Sequence, residues 1–228
     1  MTAACAESPY AELHCISNFT FLRGASHPEE LVERAGQLGY RALALTDECS
    51  VAGIVRAHVA ARRLGVRLIV GSEFRLADGL RLVLLAASRR GYGQLCALIT
   101  RGRCAAPKGA YRLTRDDFEA GAHTRSPAGL SDCLAIWLPG RTPDPAAARW
   151  LSSRFAGRCW IAVELSLDGD HRRRLAGLTS LSLAVDMPMV AASDVHMHVR
   201  GRRALQDTLT AIRLQTHVDR AGYRLQPN

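Results

Sequence analysis

Long apolar runs are missing from these 228 residues. A membrane helix needs about 18 consecutive apolar positions, and the candidates here are short stretches such as Leu82 to Ala87. A membrane span and a membrane partner are therefore excluded. The first ten residues carry neither a basic opening nor an apolar stretch, so no secretory signal is expected and the cytoplasm is the expected location. The seven cysteines, at 5, 15, 49, 96, 104, 133 and 159, are odd in number and scattered, with no C-x-x-C pair. That argues against a disulfide framework or a zinc ribbon and predicts reduced thiols packed as small hydrophobes. Lysine is almost absent. Lys108 is the single one, so arginine supplies nearly all of the 30 basic residues that outnumber 21 acidic ones and set a net charge of +9. Guanidinium forks suit phosphate and carboxylate, yet a genome rich in G and C leaves the same bias. Charge alone assigns no nucleic-acid surface. Internal repeats, low-complexity tracts and long linkers are also lacking, and a single domain over 1–228 is expected.

What is present is ordinary globular composition, 48% hydrophobic and 22% charged, enough for a real core. Short β-type runs alternate with helical periods. Strands are expected at Ala11–Cys15, Ala42–Thr46, Arg67–Glu73, Leu80–Ala86, Cys133–Leu138, Cys159–Leu165 and Met189–Ala192. Helices are expected near Pro28–Leu38, Ser50–Leu64, Gly91–Thr100, Asp144–Phe155, His171–Val185 and Gly201–Leu214. Ser26 followed by His-Pro-Glu-Glu reads as a cap with proline and acids in the first turn, and Thr114 opens a similar signal. Arg101–Leu113 and Glu119–Ser131 lack a period and read as loops.

Seven strands, each followed by helix or loop, fit a parallel barrel or an open doubly wound sheet. The first turn, Asn18 to Gly24, is not G-x-G-x-x-G. His14, Asp47, Glu73, Asp194 and His196 instead fall at the C-terminal ends of expected strands, where a barrel gathers its functional groups on one rim. The α/β barrel is the expected fold. Imidazoles and carboxylates converging there could hold a cluster of Zn, Mn or Fe ions that makes hydroxide and clamps a phosphate ester. Each residue also has a plainer reading: His14 packed or at the surface, Asp47 capping the next helix, Glu73 solvated in a loop.

The joint pattern is more specific. Ala11-Glu-Leu-His-Cys-Ile-Ser-Asn-Phe-Thr-Phe-Leu-Arg-Gly, Ala42-Leu-Ala-Leu-Thr-Asp, Val70-Gly-Ser-Glu-Phe, Asp194-Val-His-Met-His-Val-Arg and Ala204-Leu-Gln-Asp-Thr-Leu together resemble the polymerase and histidinol phosphatase (PHP) domain. The wording is nearest to the PHP domain at the N-terminus of bacterial error-prone DNA polymerases. The resemblance implies a distorted seven-stranded (β/α) barrel whose rim holds up to three metals in active members. It makes His14 the first ligand of H-x-H, Asp47 the acid of T-D-H, Glu73 the bridging glutamate, and Asp194 and His196 the closing D-x-H pair. It also implies that the chain is the N-terminal part of a longer polymerase, with the rest of that polypeptide, DNA and other translesion-synthesis proteins as partners.

Several family positions depart from this pattern. Ile16 stands where the second histidine of H-x-H is expected, Glu48 replaces the histidine of T-D-H, and Arg81 opens a strand that often begins with histidine. Ser166 replaces the histidine of V-E-L-H, and the L-D-G turn reads Leu22-Arg-Gly. Isoleucine cannot ligate, serine ligates weakly, and a guanidinium repels a dication while neutralising its carboxylates. Glu48 could still bind a hard cation. The expected state is a vestigial site of His14, Asp47, Glu48, Glu73, Asp194 and His196, with no catalytic residue assigned and no cofactor, or at most Zn, Mn or Mg at a partial site. A non-catalytic structural or interaction module is the first reading. A metal-dependent phosphoesterase or 3′–5′ exonuclease, or a phosphatase of small metabolites, are the alternatives. Arg81 turned into the pocket would substitute for a lost cation. Arg103, Lys108, Arg112 and Arg115 are expected to form a basic stretch near DNA phosphates, or a solvated loop.

Overall fold

The computed structural model describes residues 10–119, 129–165 and 169–225. Seven strands lie side by side in chain order: β1 (Ala11–Glu12), β2 (Ala42–Leu45), β3 (Arg67–Arg75), β4 (Arg81–Ala86), β5 (Cys133–Trp137), β6 (Cys159–Val163) and β7 (Met189–Ala191). Most neighbours pair in parallel through helical crossovers: α1 (Pro28–Gln37), α2 (Ile54–Leu64), α4 (Pro145–Arg154) and α5 (His171–Val185). β4 is the exception, running antiparallel to both β3 and β5, with helix α3 (Arg89–Cys104) following it. The expected seven-stranded barrel is present, but it is not parallel throughout. Only Leu76–Leu80 separate β3 from β4, and so short a connection can make a hairpin but not a crossover.

The ring closes beyond the ends of the outer strands. Cys15 and Val195 form an isolated parallel bridge, in which Ile16 N–H donates to the Val195 carbonyl and Val195 N–H to that of His14, both at 2.9 Å. The barrel is nearly closed, with a seam between β1 and β7.

Side-chain alternation sorts the core into layers. Ala44, Val83, Leu85, Ile136, Leu138, Ala162 and Ala192 fill the interior, where a narrow barrel favours small and branched side chains. Leu43 and Leu45 face α1 and α2 on the outside. Leu82, Leu84, Trp137 and Ile161 pack outward against Leu95, Leu98, Leu151 and Leu178 of α3, α4 and α5. The helix starts follow their local chemistry. Ser88 Oγ accepts from Gly91 N–H, and Asp144 accepts from Ala146 N–H ahead of Pro145. At α1 the capping residue is His27 rather than Ser26: its N–H donates to Glu30 at 2.8 Å, while Ser26 Oγ accepts from the His198 backbone N–H at 2.9 Å and lies 2.7 Å from His198 Nδ1. The region from Arg101, expected as loop, continues α3 to Cys104. Glu119–Ser131 falls largely outside the described residues.

All six described cysteines are free thiols, and Cys15, Cys49, Cys133 and Cys159 are buried. Burial pushes the Cys49 and Cys133 thiols up to about 11 and that of Cys159 to about 12. In the native protein at pH 7.5, alkylation followed by peptide mass spectrometry is expected to modify exposed Cys104 readily and these buried thiols only on unfolding.

Candidate functional site: a salt-bridged cluster on the barrel rim

Glu73 is the hub of the rim. It lies on β3, in register with Val83 of β4, and alternation from Ile69 turns it into the barrel. Because β4 runs backwards, its first residue, not its last, lies at this rim. Arg81 shares the inward side of Val83 and Leu85, and its Nε and Nη2 donate to Glu73 Oε1 at 3.1 and 2.8 Å. The other oxygen, Oε2, accepts from Arg23 Nη2 at 2.9 Å and lies 3.3 Å from His14 Nε2. Arg23 also donates through Nη1 to Glu48 Oε2 at 2.5 Å. Glu73 is 1% exposed. Burial alone would raise its pKa, but His14, Arg23 and Arg81 outweigh that and hold the carboxyl well below the usual range.

Arg23 is presented by the loop between β1 and α1. Gly24, next to it, has no room for a side chain: a Cβ there would lie 2.0 Å from the Ser17 carbonyl oxygen. Asp47 anchors this loop, accepting from Ser17 N–H, Ser17 Oγ and Thr20 Oγ1 at 2.8, 2.7 and 2.6 Å. Burial raises the Asp47 carboxyl, and these neutral donors only partly oppose it. Asp47 is thus tied to loop hydroxyls, one residue from Glu48, whose Oε1 accepts from Tyr111 Oη at 2.8 Å.

A second set of contacts crosses the barrel seam. His14, fully buried, places Nδ1 2.6 Å from Glu164 Oε1 and 3.6 Å from Asp194 Oδ1. Burial opposes charge on this imidazole, but Asp194, Glu164 and Glu73 together hold its pKa well above the ordinary value. Asp194 also meets His196 Nε2 at 2.9 Å, and Gln206 Nε2 lies 3.3 Å from His196 Nδ1. Asp194 adopts a left-handed backbone, φ 48°, a conformation aspartate tolerates better than most residues. His14, Glu164 and Asp194 are the one group of three among the described residues whose potential ligand atoms all lie within 4.8 Å of one another.

The structure therefore links His14, Glu48, Glu73, Asp194 and His196 directly or through Arg23, and leaves Asp47 beside them on different partners. Ile16 is fully buried at its family histidine position. Ser166 lies outside the described residues. Of the basic stretch, Arg103 spends its guanidinium on the carbonyls of Cys49 and Glu48 and stacks over Tyr111, while Arg115 pairs with Asp78 at 2.7 Å and stacks over Trp150. Lys108 and Arg112 are exposed. Two of the four are thus held by partners within the chain. Two residues with central roles were not singled out from sequence. Glu164 continues the inward face of β6 from Ala162, a signal that period-two alternation carries. Arg23 was visible only as an exception to the L-D-G turn. Beside the cluster opens a cavity of about 930 Å³, lined in part by Arg81, Glu164, Arg173, Asp194, His196 and Arg200.

The fold is a seven-stranded α/β barrel that gathers histidine and carboxylates at one rim. The chain belongs to the PHP domain family, which matches residues 12–134. It is 58% identical over 220 residues to the error-prone DNA polymerase of Dechloromonas aromatica and 58% identical over 226 residues to that of Methylococcus capsulatus. These matches cover 96% and 99% of the chain but 21% of each relative, so the chain spans about a fifth of their length. In fold it is similar to a putative metal-dependent phosphoesterase from Bifidobacterium adolescentis, with TM-score 0.55 and 15% identity over 83% of this chain and 88% of that one. Among the described residues no helix is long and apolar enough to cross a membrane.

Proposed function

We propose that this chain is the non-catalytic PHP module of an error-prone DNA polymerase, a scaffold and contact surface within a protein serving translesion synthesis and DNA repair. The observation that carries this reading is the occupation of Glu73. The glutamate that the family resemblance makes a bridging ligand has one oxygen bound twice by Arg81 and the other bound by Arg23 and His14. The donor set does not fit a cluster of metal ions. Two guanidiniums supply positive charge where cations would sit, Ile16 offers no ligand, and Asp47 is committed to Ser17 and Thr20. Electrostatically the arrangement is self-sufficient: each buried carboxylate has a cationic or hydroxyl partner, which a buried charge requires.

The enzymatic alternative draws on the His14, Glu164 and Asp194 group, whose atoms are close enough to hold one ion. Elemental analysis of protein purified without chelator separates the two, combined with hydrolysis of a phosphodiester such as bis(p-nitrophenyl) phosphate in added Mn²⁺. The proposal expects less than about 0.1 equivalent of metal and no turnover above the metal blank. Stoichiometric Zn or Mn with hydrolysis that depends on His14 would refute it.

A further inference from the structure

The second half of the rim is capped by helix α6 (Arg203–Arg213), and this helix is mounted inside out. Its polar residues Gln206 and Thr210 are buried against the barrel. Gln206 meets His196, Arg203 is held by Asp207 one turn on at 3.1 Å, and Arg202 at its start is held by Glu30 at 2.5 Å. Leu205, Leu209 and Ile212 sit at i, i+4 and i+7, which stacks them in one stripe turned away from Gln206 and Thr210. Leu205 is 41% exposed, Ile212 is 56% exposed, and Leu209 between them is half-buried. A strongly amphipathic helix normally points such a stripe at a core. Turning the stripe inward would break the contact of Gln206 with His196 and expose buried Thr210.

We propose that this outer stripe of α6 is the surface on which the remaining polypeptide of an error-prone DNA polymerase packs. The inference rests on the reading of the chain as a module of such a polymerase. Two observations select that occupant. First, the relatives that match nearly the whole chain are about five times as long, so a PHP module of this kind has some four-fifths of a polypeptide available to lie on it. Second, three side chains make a small patch. Stable association of two free chains buries about 1,600 Å² in total, far more than one short stripe offers. A tethered partner does not face that threshold, because covalent linkage supplies an effective concentration in the millimolar range. The stripe is suited to an intramolecular contact and too small to hold a second copy of this chain.

The test compares this chain alone with a full-length chimera in which it replaces the matched fifth of the Dechloromonas aromatica polymerase. Leu205→Cys and Ile212→Cys are introduced singly, with Val59→Cys as a reference on the exposed face of α2. Maleimide labelling is followed residue by residue by mass spectrometry. The expected result is fast labelling of all three sites in the isolated chain and at least tenfold slower labelling at 205 and 212 in the chimera, with Val59→Cys unchanged. Equal rates at 205 and 212 in both proteins overturn the proposal. Protection that already appears in the isolated chain and grows with its concentration also overturns it, in favour of self-association. As a second measurement, the pair Leu205→Glu and Ile212→Glu is expected to lower the melting temperature of the chimera but not of the isolated chain. A similar loss in both would mean that the stripe serves only the fold of α6. Metal content reports on the non-catalytic reading and labelling reports on the stripe, so the failure of one is distinguishable from the failure of the other.

Discussion

Replacing Glu73 by alanine is expected to destabilise the protein by about 3–5 kcal/mol, the range for removing one partner of a buried ion pair. The cost is not the loss of a contact but the cations left behind: His14, Arg23 and Arg81 would face one another at the rim without their shared counter-charge. Urea denaturation at pH 7 reads the effect as a fall in midpoint with little change in slope. A loss below about 1 kcal/mol would mean that the cluster is solvated as surface pairs are. The same geometry gives a pH dependence with a definite sign. The Glu73 carboxyl is depressed, so its contribution is complete above the unfolded value, about 4.3, and is lost as pH falls through the lower folded value. His14 is raised, so its contribution is complete below about 6.5 and is lost as pH climbs through the higher folded value. The pair is one interaction seen from two sides. Stability should therefore be flat across the mildly acidic range and fall on either side, and Glu73→Gln should flatten the acid limb.

The largest gain of property is expected from placing metal ligands at Arg81, Ile16 and Arg23. Arg81→His with Ile16→His removes one guanidinium and supplies two imidazoles, but Arg23 would still bind Glu73 and Glu48. The combination with Arg23→Asp is therefore the informative variant. It is expected to take up about one equivalent or more of Zn or Mn where the parent takes up almost none, as judged by elemental analysis after desalting. Without metal the triple variant should be less stable than the parent, since it gathers carboxylates with no cation. Added Zn should then raise its melting temperature, because a ligand that binds only the folded state stabilises it by mass action. A folded triple variant that binds no more metal than the parent would show that something other than these three side chains governs metal binding at the rim.

Much of this arrangement is legible in the residues. Alternation along Arg81-Leu-Val-Leu-Leu-Ala already implies that Arg81 shares a face with Val83 and Leu85, and the structure places it on Glu73. The reversal of β4 was legible too, in the handful of residues between two β-type runs, but a rhythm of alternating strands and helices hides it. Glu164 was readable as the next inward position after Ala162. Other features were not readable. Asp47 behaves differently from Glu48 because loop hydroxyls from Ser17 and Thr20 reach it, and those are tertiary contacts. Asp194 depends on a left-handed backbone at one residue. The outward stripe of α6 reverses the usual reading of an amphipathic helix, since only the packed structure shows which face the barrel takes.

The seam between β1 and β7 gives the cluster a second meaning. The bridge at Cys15 and Val195 closes the ring with only two backbone hydrogen bonds, and the contact of His14 with Asp194 spans the same gap. Ser193 N–H also donates to Glu12 Oε1 at 3.1 Å and Tyr10 Oη lies 3.0 Å from Ser193 Oγ, so side chains fasten as much of the seam as the backbone does. Side chains of the rim are then under constraint for a mechanical reason as well as for any chemistry they do. Substitution at His14 or Asp194 would then be felt as a loss of shape at the seam as well as a change at the rim.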